Sequence, residues 1–439
     1  MTAFSDLFGR RSPVPLPGAP GMVTSHAIAA VGQRWQCQRC NQWIAATDRL
    51  PNGDWYCRTC LQLGRLTSRD RLYTIPEPNR FARLVAGGLT WHGQLSPLQM
   101  QAAQAVRKHA LGGQRQLLWA VTGAGKTEIV YPALADALAR GWRVAWVSPR
   151  IDVCLELAPR LQRDFGGVEQ CVLYGGQPVP YHYCQLTICT THQLLRFDQA
   201  FDWIIVDEVD AFPLATSPML QVAIDRAQKA QGSCLYLTAT PGERLQREIK
   251  QRKLAVTYLP LRYHGYLLPR LQLKISWRWR QQLRRGRLPA GLQRQLRLWW
   301  TTRRPFLVFV PHVADLPVVM AVLMQAGLSG GTTVHAADPD RQAKVQAFRE
   351  GHYHFLLTTT ILERGVTFPK VAVAILGADD PVFSTAALVQ IAGRVGRLAS
   401  DPGGQVLACC HSNARHVQRA RAMITRLNRQ GRRQGGRPC

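Results

Sequence analysis

Short apolar runs punctuate the first half of the chain: RQLLWAV, RVAWVSP, CVLYGG, LTICTT, DWIIVDE and CLYLTAT, all between residues 115 and 240. They are near-continuous rather than alternating, the pattern of strands covered on both faces. Stretches with helical spacing, such as YPALADALARG and DVCLELAPRLQRDF, lie between them. This alternation predicts an α/β fold with a parallel sheet. The rhythm pauses near residue 260 and resumes with FLVFVP, TTVHAA, FLLTTT, VAVAILG and QVLACC. The pattern therefore predicts two α/β domains, over residues 76–260 and 305–425, joined by a segment at 261–304. Ahead of them, residues 31–75 carry four cysteines and predict a small domain of their own. Residues 1–30, rich in Pro and Gly, predict a disordered lead-in, and residues 426–439 a basic, unfolded tail.

A chain of 439 residues fits two or three domains. Its net charge of +28, from 55 Lys and Arg against 27 Asp and Glu, points to a polyanionic partner. Genome composition can exchange Lys for Arg but does not by itself remove acids, so nucleic acid is favoured over an acidic membrane surface. No apolar run of about 18 residues occurs, and the first residues lack the apolar core of an export signal. A cytoplasmic location is expected, and with it reduced thiols among the twelve cysteines.

LLWAVTGAGKTEIV follows a predicted strand and opens a helix. Amides of such a loop cradle phosphate oxygens at a helix N-terminus. Gly123 and Gly125 permit the tight turn, Lys126 reaches the β- and γ-phosphates of ATP, and the Thr127 hydroxyl ligates Mg2+. The usual first Gly of this pattern is replaced by Ala120, which is still small. Pro132 falls inside the following helix, where a kink is expected. DWIIVDEVD then ends a strand in acids, where α/β sheets place ligands. Asp207 would hold Mg2+ and Glu208 would polarise the attacking water. For Asp210 two readings stand: a partner of coupling residues, or a solvated charge. Much later, QIAGRVGR offers Arg394 and Arg397 as donors to the γ-phosphoryl group. Donors from another domain would tie hydrolysis to domain closure, the basis of a motor.

WQCQRC and WYCRTC place Cys37, Cys40, Cys57 and Cys60 in a C-x2-C-x16-C-x2-C arrangement. That spacing fits a structural zinc site, and four thiolates with no other donor make a closed tetrahedral one. A redox pair is disfavoured, because Cys-x-x-Cys occurs twice and outside a βαβ unit. Trp35, Trp43, Arg34, Arg39 and Arg58 make this module a candidate DNA handle; stabilising the fold and docking a partner are equally open roles.

No acid occurs between Glu248 and Asp315, and nine Arg lie between residues 278 and 304. Trp277, Trp279, Trp299 and Trp300 are interleaved with them. Three readings fit: DNA contact through charge and stacking, a solvated basic helix with core Trp, or attraction to anionic lipid.

The ordered set LSPLQ, AVTGAGKT, SPR, TTHQLL, DEVD, LTATP, FVPHV, TTTILERGVTFP and QIAGRVGR resembles the superfamily 2 helicases and translocases, over about residues 91–415. The resemblance implies two RecA-like domains, adenine reading by Gln99, coupling by Thr238 and Thr240, and a nucleic-acid path along Arg150, Thr190 and Thr359, with Gln390 grouped among these contacts. Many such helicases have Asp where this chain has Thr367, so the contact assigned to that Asp is not carried over to this position. TTHQLLRF, DEVDAFP, TTTILERGVTFP, LVQIAGRVGR and the N-terminal cysteines are similar to those of the ComFA family, ATPases of natural transformation. That likeness implies a DNA-dependent ATPase driving single-stranded DNA uptake, peripheral at the inner membrane face, with ComFC, DprA and the ComEC channel as partners. A PriA-like restart helicase is an alternative, but its cysteines sit inside the second motor domain. A zinc-bearing adaptor without ATP turnover is another, opposed by the intact Lys126, Glu208, Arg394 and Arg397.

Overall fold

The computed structural model describes residues 4–15, 20–363 and 368–438. They form two compact units, one of residues up to 119 with 126–258, the other of 120–125 with 259 onward.

The first unit opens with β1 (Val23–His26), β2 (Ile28–Val31), β3 (Arg34–Cys37) and β4 (Arg71–Thr74). β2 and β3 form an antiparallel hairpin, and β1 pairs antiparallel with β4. Then come α1 (Pro97–Leu111), β5 (Arg115–Ala120), α2 (Lys126–Ala139), β6 (Val144–Ser148), α3 (Ile151–Asp164), β7 (Gln170–Leu173), β8 (Leu186–Thr190) and β9 (Phe201–Val206). α4 (Pro218–Ala227), β10 (Gln228–Thr238), α5 (Glu243–Lys250) and β11 (Ala255–Leu259) complete the sheet, whose order is β11-β5-β10-β9-β6-β8-β7. β5, β6, β7, β8, β9 and β10 pair in parallel. β6 and β8 are buried at every position, which explains why their sequences do not alternate. Ser96 caps α1 with Pro97 at the first helical position, and α2 runs through Pro132 to Ala139.

The second unit holds β12 (Leu271–Ile275), α6 (Trp279–Arg284), α7 (Ala290–Thr301), β13 (Phe306–Phe309), α8 (Asp315–Gln325), β14 (Gly331–Val334), α9 (Arg341–Arg349), β15 (Phe355–Thr358), β16 (Ala372–Leu376), α10 (Thr385–Ala392), β17 (Val406–Cys410) and α11 (Arg415–Arg433). Its parallel sheet has the order β12-β17-β16-β13-β15-β14. Both sheets are RecA-like, as the strand rhythm implies.

Several segments differ from expectation. In the expected disordered lead-in, Phe4–Leu7 forms a 3-10 turn, and Leu7 and Phe8 are buried with Ile75. Phe8 packs edge-on against Tyr183, and its carbonyl accepts from Arg143 at 2.9 Å. A few large apolar side chains offset the ordering entropy that Pro and Gly content alone would predict to win. The expected bridge at 261–304 is not a linker: β12 adds an edge strand to the second sheet, and Trp279 and Trp299 lie in that unit's core. Trp300 packs against the same core, leaving only Trp277 of the four strongly exposed, at 75%. The expected unfolded tail is helical to Arg433, because Val417, Ala420, Ile424 and Leu427 recur at helical spacing and are buried.

The four-cysteine module was expected as a domain apart, yet it shares a core with the first sheet. Cys37, Cys40, Cys57, Cys60, Ile28, Leu66 and Leu72 belong to one buried cluster with Leu173, Phe197, Phe201, Val209 and Leu214.

Candidate nucleotide site and four-cysteine centre

The first sheet gathers the candidate catalytic residues at its carboxyl edge. β10 lies between β5 and β9, with Thr238 in register with Trp119 and Tyr236 with Val206. The loop leading to Lys126 and Thr127 therefore leaves β5 on one side of Thr238, while Asp207 and Glu208 leave β9 on the other. Gly123 and Gly125 have φ of 83° and 74°, a left-handed backbone that Gly adopts freely. Lys126 and Thr127 begin α2, so the amides of its first turn and its dipole face the loop. This is a loop fitted for phosphate.

Asp207 is held by its amide, which donates to the Val147 carbonyl on β6 at 2.7 Å. The Glu208 amide donates to Asp207 Oδ1 at 2.8 Å. Glu208 has φ of 52°, a conformation a non-glycine residue adopts only when its surroundings impose it. Asp210 takes the first of its two readings. Its Oδ1 accepts from Thr238 Oγ1 and its Oδ2 from Thr240 Oγ1, both at 2.5 Å. The Thr240 amide donates in turn to Thr238 Oγ1 at 2.9 Å. One carboxylate thus ties the end of β10 to the acidic turn after β9 through charge-assisted bonds.

Gln99, at the third position of α1, is buried, and its Oε1 accepts from the Ser96 amide at 2.9 Å. Its carboxamide is thereby oriented by a capping box. Arg150 precedes α3, and Thr190 ends β8 in register with Ser148 of β6, so both stand on the same carboxyl edge. Within the second unit, Thr359 follows β15, and Gln390 lies buried in α10. Arg394 is buried and its Nε donates to the Glu363 carbonyl at 3.2 Å, while Arg397 Nε donates to the Gly393 carbonyl at 3.2 Å. Thr367 lies outside the described residues. The same unit shows a residue the sequence did not single out. Arg262 is buried, its Nη1 donates to the Gly396 carbonyl at 2.5 Å, and the adjacent Tyr263 amide donates to the Gly123 carbonyl at 3.0 Å. A lone Arg in LPLRYHGY carries no local signal that would have marked it.

The four cysteine Sγ atoms are buried and all within 4.8 Å of one another. Cys37 to Cys60 is 3.8 Å and Cys40 to Cys57 is 3.5 Å. A tetrahedral zinc with bonds of about 2.3 Å would set sulfurs about 3.8 Å apart. Thiol hydrogen bonds from Cys40, Cys57 and Cys60 pull Cys37 far down, and the same contacts push Cys40 up. Cys60 is lowered as well and Cys57 is raised, so two of the four thiols favour the thiolate and two resist it, a conflict that a divalent cation would relieve. Arg39 adds compensating charge: it is 1% exposed, its Nε donates to Cys60 Sγ at 3.3 Å, and its Nη2 to the Cys60 carbonyl at 3.1 Å. The residues fit zinc, which would supply a structural crosslink there. Arg39 is thereby unavailable as a DNA handle, whereas Arg34 and Arg58 are exposed. Arg34 stacks over Trp43, itself 44% exposed, at 4.5 Å. Arg226, missed in the sequence, ends α4 and donates through Nη1 to the Gln38 and Arg39 carbonyls at 2.7 and 2.8 Å. Elsewhere the thiols behave as small apolar groups: burial pushes Cys154, Cys234, Cys409 and Cys410 up to about 12.

Comparison with known proteins agrees with this geometry. The DEAD/DEAH box helicase family matches residues 96–248, and the helicase conserved C-terminal domain matches residues 292–399. Among solved structures, S. cerevisiae Dbp5 bound to RNA and ADP BeF3 has a TM-score of 0.53 at 16% identity, covering 76% of this chain and 91% of that one. Mycobacterium smegmatis Lhr bound to ssDNA and AMP-PNP has a TM-score of 0.54 at 17% identity, covering 77% and 50%. These likenesses show a shared fold. With the phosphate loop and acidic turn, the two family matches define a superfamily 2 helicase-type ATPase that uses nucleotide and Mg2+. The competence protein ComFA of Bacillus subtilis is 38% identical over 414 residues, 93% of this chain and 89% of that protein. ComFA of Streptococcus pneumoniae is 39% identical over 375 residues, 84% and 85%. The chain belongs to the ComFA family, helicase-like ATPases of competence. No helix among the described residues is long and apolar enough to cross a membrane.

Proposed function

We propose that the protein hydrolyses ATP in response to single-stranded DNA and uses the cycle to move along the strand, drawing transforming DNA into the cell. The observation that carries this reading is Asp210 bound to both Thr238 and Thr240. A change at the acidic turn, where the nucleotide's Mg2+ would sit near Asp207, is transmitted to the end of β10 without slack. A non-coupled ATPase has no need of that connection. In this cycle Lys126 and the amides of the loop hold the phosphates, Thr127 and Asp207 would hold Mg2+, and Glu208 orients and deprotonates the attacking water. Arg394 and Arg397 stabilise charge on the γ-phosphoryl group. Arg150, Thr190 and Thr359 follow the strand. When bound there, Mg2+ would supply neutralisation of phosphate charge. The motor works at the inner face of the membrane with the ComEC channel, ComFC and DprA.

The test is ATP turnover with and without single-stranded DNA, for wild type and Lys126→Ala. The expected result is DNA-stimulated turnover abolished by the substitution. Turnover indifferent to DNA, or unchanged by Lys126→Ala, would sink the motor reading.

A further inference from the structure

α11 has two faces of opposite character. Val417, Ala420, Ile424, Leu427 and Gly431 are buried along one side. Arg415, Arg419, Arg426, Arg429 and Arg433 are exposed. At 100° per residue these five fall within about 40° of one line, opposite the buried set, and at 1.5 Å per residue they span about 27 Å. The helix is anchored near both ends. Thr385 Oγ1 donates to the His416 carbonyl at 3.1 Å, and Asn428 exchanges bonds of 2.9 and 2.8 Å with the Leu268 backbone.

This stripe is not an ordinary solvated face. On α5, by contrast, Arg244 has an acid at i,i+4, Glu248 at 2.9 Å. No Asp or Glu follows Asp401, so α11 contains nothing to neutralise its own charge. Arg415 with Arg419 and Arg429 with Arg433 are like-charge i,i+4 pairs, which cost stability. The apolar face is committed to the core and no Trp, Tyr or Phe occurs on the helix, so it offers a bilayer no inserting side chain and a base no stacking surface. We infer that α11 is a binding site for the phosphodiester backbone of a single nucleic-acid strand, held by charge alone and blind to sequence. Each arginine meets a phosphate bidentately, and affinity comes from the counterions released.

The inference rests on the proposed single-strand motor, and the two fail differently. The measurement is the affinity of labelled oligo(dT) as a function of salt, for wild type and a variant with all five arginines replaced by Gln. A single-strand contact contributes a slope of about −0.7 in log K against log salt. The variant should therefore have a slope shallower by about 2 to 3.5, and bind at least about tenfold more weakly at low salt. The five-fold Arg→Lys variant should restore the slope, since it keeps the charge. Circular dichroism checks that the helix persists. If wild type does not bind oligo(dT), the motor reading falls and this site with it. If wild type binds and the Gln variant keeps its slope, the site alone falls. If instead the Gln variant loses binding to phosphatidylglycerol vesicles while its DNA slope is unchanged, the stripe serves a membrane and the inference is overturned.

Discussion

At the scale of single residues, the acidic turn after β9 holds its three carboxylates in different surroundings. Glu208 is held with φ of 52°, and its neighbour's Oδ1 takes its amide. Glu208→Gln keeps this shape but removes the base of the proposed cycle. Turnover should fall by at least about 100-fold while ATP still binds, as titration with a fluorescent nucleotide would reveal. Asp210 has no chemical role in the proposed cycle, and both its oxygens are engaged by threonine hydroxyls. Asp210→Ala should leave basal turnover within about twofold and cut DNA stimulation about tenfold or more, since two charge-assisted bonds are lost. Equal loss of basal and stimulated rates would assign Asp210 to the chemistry instead. DEVD was legible as a motif, and Asp207 and Glu208 could be given roles from it. Asp210 could not, because its partners stand 28 and 30 residues away and only the pairing of β9 with β10 brings them together. The same holds for Arg39, whose burial beside Cys60 no local pattern announces.

At the scale of elements, the cysteine module and the first sheet form a continuous structure. The sequence pattern predicts a small domain of its own over residues 31–75. The shared cluster and the Arg226 bonds from α4 enlarge that expectation. Removing zinc with a chelator, or Cys37→Ser, should lower the melting temperature of the first unit as a whole. Hydrogen exchange in α4 should rise together with that in β2 and β3. Arg226→Ala leaves two carbonyls short of a donor and should cost about 1–3 kcal/mol. Exchange confined to residues 30–65 would restore the detachable module. α11 and β12 teach a related lesson. Each carries the periodicity of its element, but the density of Arg around them reads as unfolded tail or linker until a core is seen to accept their apolar side.

At the scale of the whole molecule, +28 net charge must be spent on something. Binding to single-stranded DNA should weaken steeply with salt, with a slope of at least about −3 in log K against log salt for several phosphate contacts. A flat response would mean that the charge serves another partner. Trp277 is the one tryptophan of its segment exposed enough to stack on a base, so Trp277→Ala should weaken binding without changing that slope. What the chain settled by itself was everything carried by neighbours in sequence. Apolar runs marked the buried strands, glycines the candidate phosphate loop, paired cysteines the candidate metal site, and their order the two-domain helicase core. These signals survive because hydrogen-bond periodicity, turn sterics and ligand spacing act over a few residues. Tertiary structure decided which charges are buried, which aromatics are core, which carboxylate ties strand ends together, and that four cysteines, α4 and the first sheet share one interior. Those outcomes depend on contacts between residues tens to hundreds of positions apart. Such contacts are set by strand order and packing, not by any stretch of chain read alone.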